Sequence, residues 1–256
     1  MPISPPATTP PEPCGRSRPH AVAETIKQWM VERDLKPGDR LPAEADLIVQ
    51  FGAAKSTVRE AMRLLEAQGL VRSRTGPGGG HFVHEVSELR AQSLLANYFY
   101  FRPPSISDIY QIRRVLEPEL AASLAGKVSE EDLQRLERAM ASYESPPESI
   151  EESEAQRIAE LDFHEVLAEL SENSLLAFQC RFLIGLLKNL AVCRKIYKRR
   201  IPDFRRLGRD YQVRLIQALR SGDADAARAI MLAHMQSAQH VMERQEATLP
   251  RNFLTG

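Results

Sequence analysis

The sequence predicts a mainly α chain in two parts: a small helical unit closed by a β hairpin, and a longer all-α antiparallel bundle. Three observations carry this. Apolar residues recur at i, i+3, i+4 and i+7 through most of the 256 residues. Strand-like stretches are confined to residues 70–84, and Gly, Pro and Asn punctuate the helical periods. With 43% hydrophobic and 27% charged residues the chain has the composition of a folded globular protein, which excludes wholesale disorder.

Taking the elements in order, residues 1–18 hold six of the seventeen prolines and predict a flexible tail. That tail has neither a basic nor an apolar leader segment, so a cytoplasmic location is expected. Val22, Ile26 and Trp29 predict a first helix that ends before Lys36-Pro37-Gly38-Asp39. A second helix is expected over 43–51, with Leu47, Ile48 and Phe51 on one side and Gly52 as its stop. A third, over 56–68, buries Val58, Ala61, Met62 and Leu65 and stops at Gly69. Residues 70–73 and 81–84 read as short strands around the tip Gly76-Pro77-Gly78-Gly79-Gly80, so residues 19–85 form the first domain.

Residues 86–246 form the second domain, with 247–256 as a C-terminal tail. Its seven expected helices span 87–101, 105–125, 129–143, 150–171, 174–199, 202–220 and 223–246. The breaks fall at Arg102-Pro103-Pro104, Gly126, Ser145-Pro146-Pro147, Asn173, Pro202 and Ser221-Gly222. Ser129-x-x-Asp132 reads as a capping box, Pro202 as a first-turn proline and Asp223 as an N-cap.

Some function classes drop out on composition. The longest apolar run, residues 178–192, is interrupted by Arg181 and Lys188, too short and too charged for a membrane helix, so no membrane partner is expected. The three cysteines, Cys14, Cys180 and Cys193, lack metal-ligand spacing, and the last two read as core residues. The 34 basic and 34 acidic residues balance but are unevenly placed. Residues 117–172 carry sixteen acidic side chains against four basic ones, and residues 181–220 carry twelve basic against two acidic. Either the two blocks pair within the bundle, or Arg194, Lys195, Lys198, Arg199 and Arg200 form an anion-binding surface.

Two helices joined by a tight turn and followed by a glycine-tipped hairpin are the parts of a winged helix-turn-helix. Packing uses the apolar face of the third helix. Lys55, Ser56, Thr57 and Arg59 are left to read bases, and Arg63, one turn on, to meet the backbone. Arg72, Arg74 and His81 flank the hairpin and can reach phosphate or the minor groove. The alternative is a domain that mediates protein contacts, with its basic residues solvated.

The stretches Pro37-Gly38-Asp39-Arg40-Leu41-Pro42-Ala43-Glu44, Ser56-Thr57-Val58-Arg59-Glu60-Ala61 and Leu64-Leu65-Glu66-Ala67-Gln68-Gly69-Leu70-Val71 resemble the N-terminal signature of the GntR family of bacterial transcription regulators. The resemblance implies DNA reading by Lys55, Ser56, Thr57 and Arg59. Lys55 stands where an arginine is usual, and Ala45 where some members carry a DNA-contacting arginine. Lys and Arg are not equivalent at a bidentate site, so the resemblance implies DNA binding but not which operator sequence is read.

Arg113-x-x-Leu116-Glu117, Phe163-His164 followed by Asn173, and Gly222-Asp223-x-x-x-Ala227 through Met231-x-x-His234 resemble the FCD-type C-terminal domain of the FadR-like subfamily. That resemblance implies a small carboxylate effector and a divalent metal, Zn or Ni, held by one Asp and three His. The corresponding positions here are Glu160, His164, Gln212 and His234. Periodicity independently places these four polar groups among apolar stripes: Glu160 and His164 with Phe163 and Leu167, Gln212 with Ile216 and Leu219, His234 with Ile230 and Val241. Burying them unpaired is costly, so they should meet one another, a metal or a polar ligand. Two readings stay open: a metal on Glu160, His164 and His234 with Gln212, or a hydrogen-bond network of the same groups without metal. Arg113 either receives an effector carboxylate or pairs with Glu117.

The reading as a whole is a homodimeric, DNA-binding transcription regulator that recognises an inverted-repeat operator on double-stranded DNA and answers to a small anionic metabolite. The rivals are a metal-dependent helical-bundle enzyme and a regulator that has lost effector response. Di-iron bundles use paired Glu-x-x-His motifs. Here Glu160-x-x-x-His164 has another spacing and occurs once, and no nucleophile triad or phosphate loop accompanies it, so no catalysis is expected.

Overall fold

The computed structural model describes residues 17–141, 147–199 and 204–249. The expectations for the N-terminal tail, Cys14, the Ser145-Pro146 break, Arg200, Pro202 and residues 250–256 lie outside them. The chain divides into two compact units after Ala91.

The first unit contains α1 (Arg18–Glu32), α2 (Glu44–Phe51), α3 (Lys55–Gln68), β1 (Val71–Arg74) and β2 (Gly80–Val83). Ala23 and Ile26 of α1, Leu47 of α2, and Val58, Ala61 and Leu65 of α3 interlock in one core from which water is excluded. Gly52 ends α2 with φ +59°, a left-handed conformation that lets the chain turn at once into α3 and would strain any side chain with a Cβ. β1 and β2 pair antiparallel, Val71 opposite Val83 and Arg74 opposite Gly80.

The loop before α2 does more than turn. Gly38 N donates to Val83 O at 2.9 Å, Val83 N to Asp39 O at 2.8 Å, and Leu41 N to His81 O at 2.8 Å. Residues 38–41 thus line the free edge of β2, while Leu41 is buried in the core. Only the turn at Lys36–Asp39 was expected there. The pairing depends on long-range register, which local periodicity does not carry.

The bundle comprises α4 (Glu88–Tyr100), α5 (Ile106–Leu124), α6 (Glu130–Ala141), α7 (Ile150–Glu169), α8 (Ser174–Asn189), α9 (Ala191–Tyr197), α10 (Phe204–Ser221) and α11 (Ala224–Ala247). The first turn of α4 belongs to the first unit, since the Arg90 guanidinium donates to Ala67 O. The division therefore falls inside α4 rather than at residue 86.

The single helix expected over 174–199 is two, bent by 68° at Leu190, whose ψ of 130° is extended. The bend turns Cys193, Ile196 and Tyr197 into the core, where all three are buried. Side-chain burial outweighs the lost helical continuity. Cys180 and Cys193 are free, buried thiols, both pushed up to about 12 by burial and therefore unreactive.

α11 lies along α5, with Ala227, Met231, Met235 and Met242 contributing to the bundle core beside Ile109, Leu120 and Leu124. Ser129 and Asp132 cap α6: Asp132 N donates to Ser129 Oγ at 3.1 Å and Ser129 Oγ to Asp132 Oδ2 at 2.6 Å. Asp223 caps α11 through Ala226 N at 2.9 Å.

The acidic and basic blocks meet as partners. Lys188 sits 2.6 Å from Asp162 and 2.8 Å from Glu165, Arg220 is 3.0 Å from Glu130, and Arg194 and Lys198 both approach Glu154 at 4.0 Å. Among the described residues no single helix is long and apolar enough to cross a membrane.

Candidate functional site

Two constellations stand out, one in each unit. On α3, Val58, Ala61, Met62 and Leu65 face inward, and Lys55, Ser56, Arg59 and Arg63 are exposed, with Thr57 half-buried at the N-terminal edge. Side chains meant for a groove need this separation, because the packing face fixes the helix while the opposite face stays in water. Arg59 Nε lies 2.9 Å from the Glu44 carboxylate on α2, a pairing that the sequence reading did not include. The pair holds the guanidinium against α2. Arg63 leans on Glu60 at 3.4 Å.

In the hairpin Arg72 is exposed, while Arg74 lies over the Phe82 ring at 4.6 Å. His81 is less available than expected. Its Nδ1 is 3.1 Å from Ser73 Oγ, and Ser73 is itself tied to Glu66 of α3, so this histidine braces the hairpin. Arg40, unassigned by sequence, donates to Gly79 O at 2.6 Å and fastens the tip.

The second constellation is buried in the bundle, where α5, α7, α10 and α11 converge. Arg113 and Glu117, one turn apart on α5, are each 1% exposed and paired through Arg113 Nε. Burial alone would raise the Glu117 carboxyl, but Arg113 and His164 outweigh it and carry it down to about 2, so Glu117 is ionised. Its second oxygen is 2.6 Å from His164 Nδ1. Burial lowers the His164 imidazole more than Glu117 raises it, leaving a neutral ring. Against an ionised acceptor the proton sits on Nδ1, and Nε2 keeps a lone pair.

That lone pair is taken by the Tyr211 hydroxyl, at 2.8 Å. The Tyr211 ring in turn stacks on His234 with centroids 3.3 Å apart and 14° between the planes. His234 is held well below its ordinary range by burial and by the neighbouring His164.

Glu160 departs from expectation. It shares no bond with His164; its Oε2 accepts from Arg157 at 3.1 Å, and burial lifts its carboxyl to about 7 against the pull of Arg157 and Arg113. Its Oε1 is buried without a hydrogen-bond partner, as is Arg113 Nη2. Gly208 of α10 makes room for Glu160, since a Cβ there would lie 2.7 Å from Oε1.

A cavity of about 20 Å³ is bordered by Tyr110, Arg113, Arg157, Glu160, Tyr197 and His234 among others. A recess of about 110 Å³, lined by Gly208, Tyr211 and Ser237, shares Glu160, His234 and Ala238 with it.

The structure brings Arg113, Glu160, His164 and His234 to one place. Gln212 is fully buried on α10 and lines neither cavity, and its neighbour Tyr211 bonds His164. Around His164 the bonds run Glu117–His164–Tyr211, and Glu160 pairs with Arg157 instead of His164. Of the two alternatives for Arg113, the pair with Glu117 is present. Arg157, Tyr110, Tyr197 and Tyr211 went unassigned, and of these Arg157 carried a signal, lying three residues before Glu160.

Nor does the donor set fit a divalent metal. Both nitrogens of His164 are committed, Glu160 is paired with an arginine, and among the described residues no three His, Cys, Asp or Glu side chains could hold an ion.

Comparison with known proteins assigns each unit to a family. Residues 20–83 match the model described as bacterial regulatory proteins, gntR family, and residues 108–237 match the FCD domain. The chain is 30% identical over 214 residues to the HTH-type transcriptional regulator LutR of Bacillus subtilis (strain 168), covering 82% of this chain and 94% of LutR. It is 26% identical over 237 residues to the HTH-type transcriptional repressor NanR of Escherichia coli (strain K12), covering 87% and 86%. A solved structure, Streptococcus agalactiae GntR, shares the fold with a TM-score of 0.56 at 22% identity, over 87% of this chain and 99% of that one.

Proposed function

The chain belongs to the GntR family of bacterial regulatory proteins, in its FadR-like, FCD-containing subfamily, and is a DNA-binding transcription regulator rather than an enzyme; from that premise we propose that two copies read an inverted repeat and that a small carboxylate bound in the bundle changes their affinity for it. Lys55, Ser56, Thr57 and Arg59 read base edges, and Arg63, Arg72 and Arg74 bind phosphates. The exposed apolar residues Leu94, Leu95, Tyr98, Tyr100 and Phe101, on and just after α4, support a second copy as a covering surface. Binding of this kind takes place where the chromosome is, in the cytoplasm.

The observation that carries the effector reading is Arg113 Nη2, a guanidinium donor with no hydrogen-bond partner, buried beside a small cavity that Arg157, Glu160 and His234 also border. An unsatisfied buried cation is costly, and a carboxylate supplies the missing acceptor. Control follows if the carboxylate binds the DNA-competent and DNA-incompetent arrangements unequally.

The test titrates a panel of small carboxylates, each beside its neutral amide, into the complex of protein and fluorescent operator duplex. A carboxylate that shifts DNA affinity while its amide does not supports the reading. If no member of the panel acts, the reading is wrong and the regulator acts constitutively.

A further inference from the structure

Building on the carboxylate reading above, we infer that the bundle site holds its ligand without a metal ion: Tyr211 occupies the nitrogen an ion would need, and Arg113 and Glu160 grip the ligand directly. His164 is prepared as a metal-ligating histidine is, with one ring nitrogen bonded to a buried carboxylate and the other left to coordinate. Here that other nitrogen accepts from the Tyr211 hydroxyl at 2.8 Å. The Tyr211 ring stacks on His234 at 3.3 Å, and the two imidazoles face each other with centroids 5.4 Å apart, so the phenol packs against the histidine pair while its hydroxyl holds Nε2. An ion could enter only by expelling a tyrosine that is 2% exposed and breaking its hydrogen bond. With His164 Nε2 taken, the Glu160 Oε1 oxygen and His234 do not by themselves make up the three or four ligands of a divalent site, and among the described residues no third His, Cys, Asp or Glu joins them.

What the ion would do for an anion is already provided. Arg113 Nη2 meets a carboxylate in the cavity, and Glu160 Oε1, also unpartnered, accepts from a donor on the same molecule. The ligand class is therefore a small carboxylate that also carries a hydroxyl or amino group, with its remaining atoms in the recess beside Gly208.

The experiment uses the full-length protein, freed of metal by dialysis against EDTA, and follows thermal melting with added Zn²⁺, Ni²⁺ or Mn²⁺. A metal that binds the folded bundle at about 100 times its Kd would raise Tm by roughly 5–10 °C. The expected result is no rise that depends on this site, so wild type and His164→Asn respond alike. Tyr211→Phe, which frees Nε2 with little change in shape, covers the chance that His164→Asn does not fold; its Zn²⁺ response should equal or exceed that of wild type. A wild-type rise that His164→Asn abolishes, or that exceeds the Tyr211→Phe rise, overturns the inference. Because these melts contain no carboxylate, they decide the metal question even if the effector reading fails. In the operator titration, an effective carboxylate should keep its potency in EDTA and lose at least tenfold when its hydroxyl or amino group is replaced by hydrogen. Loss of potency in EDTA that Zn²⁺ restores, or equal potency of the hydrogen analogue, would refute it.

Discussion

Replacing Glu117 by Gln removes one charge from the centre of the bundle while keeping the shape of the side chain. Arg113 and Glu117 are each 1% exposed, so the guanidinium left behind cannot turn to water. Breaking a buried pair from one side costs about 3–5 kcal/mol. A second route gives the same scale, since a carboxyl moved from 4.5 to about 2 is worth about 3 kcal/mol at neutral pH. For a domain of this size, 1 kcal/mol is about 2–4 °C, so the bundle's melting temperature should fall by roughly 6–20 °C.

Glu119→Gln is the matched control. Its pair with Arg228 is a good 2.7 Å but 58% and 41% exposed, so water and salt screen it and its loss should move the melting temperature far less. The sign with pH is also fixed. The unfolded carboxyl takes a proton below 4.5 and the folded one only near 2, so wild-type stability from this group is present above 4.5 and lost as pH falls toward 2. Calorimetry of the full chain at neutral and acid pH measures both effects. If Glu117→Gln melts no lower than Glu119→Gln, the buried ion pair does not organise the site.

Three further outcomes follow from other contacts. Gly208→Ala would ordinarily stabilise a helix interior by about 1 kcal/mol. Here the methyl would meet Glu160 Oε1 at 2.7 Å, so urea melts should show destabilisation by about 1–3 kcal/mol and the carboxylate response should weaken. Glu160 is raised to about 7 from 4.5, so its contribution is present below pH 4.5 and lost as pH rises through about 7; Glu160→Gln should remove that decline, read as the difference between variant and wild-type melts across the interval. In DNA titrations Arg59→Ala should cost about 1–3 kcal/mol and relax the sequence preference, whereas Arg63→Ala should weaken all sequences alike and lower the salt slope by about 1.

Much of this architecture is legible in the sequence because it depends on local spacing. Val58, Ala61, Met62 and Leu65 declare the packed face of α3, and by subtraction its exposed basic face. Gly52, Gly69, Asn173 and Asp223 mark helix ends through backbone freedom or a capping side chain. The bend at Leu190 is not legible, because neither Gly nor Pro marks it and it is set by the burial of Cys193, Ile196 and Tyr197. The bundle site was half visible. Spacing brought Glu160, His164 and His234 onto inward faces, but which side chains touch across helices depends on small rotations about each axis. A turn of α10 about its axis separates Tyr211 from Gln212, and that difference decides between a phenol and an amide opposite His164. The Arg59–Glu44 pair spans two helices and was invisible for the same reason.

The most direct test of the account is to capture fragments of the source genome on purified full-length protein and sequence them at several salt concentrations. The account predicts that a few sites sharing an inverted repeat are enriched, that retention falls steeply with salt, and that Arg59→Ala loses the sites while keeping its fold. Retention without a shared repeat, or equal enrichment by Arg59→Ala, would contradict it.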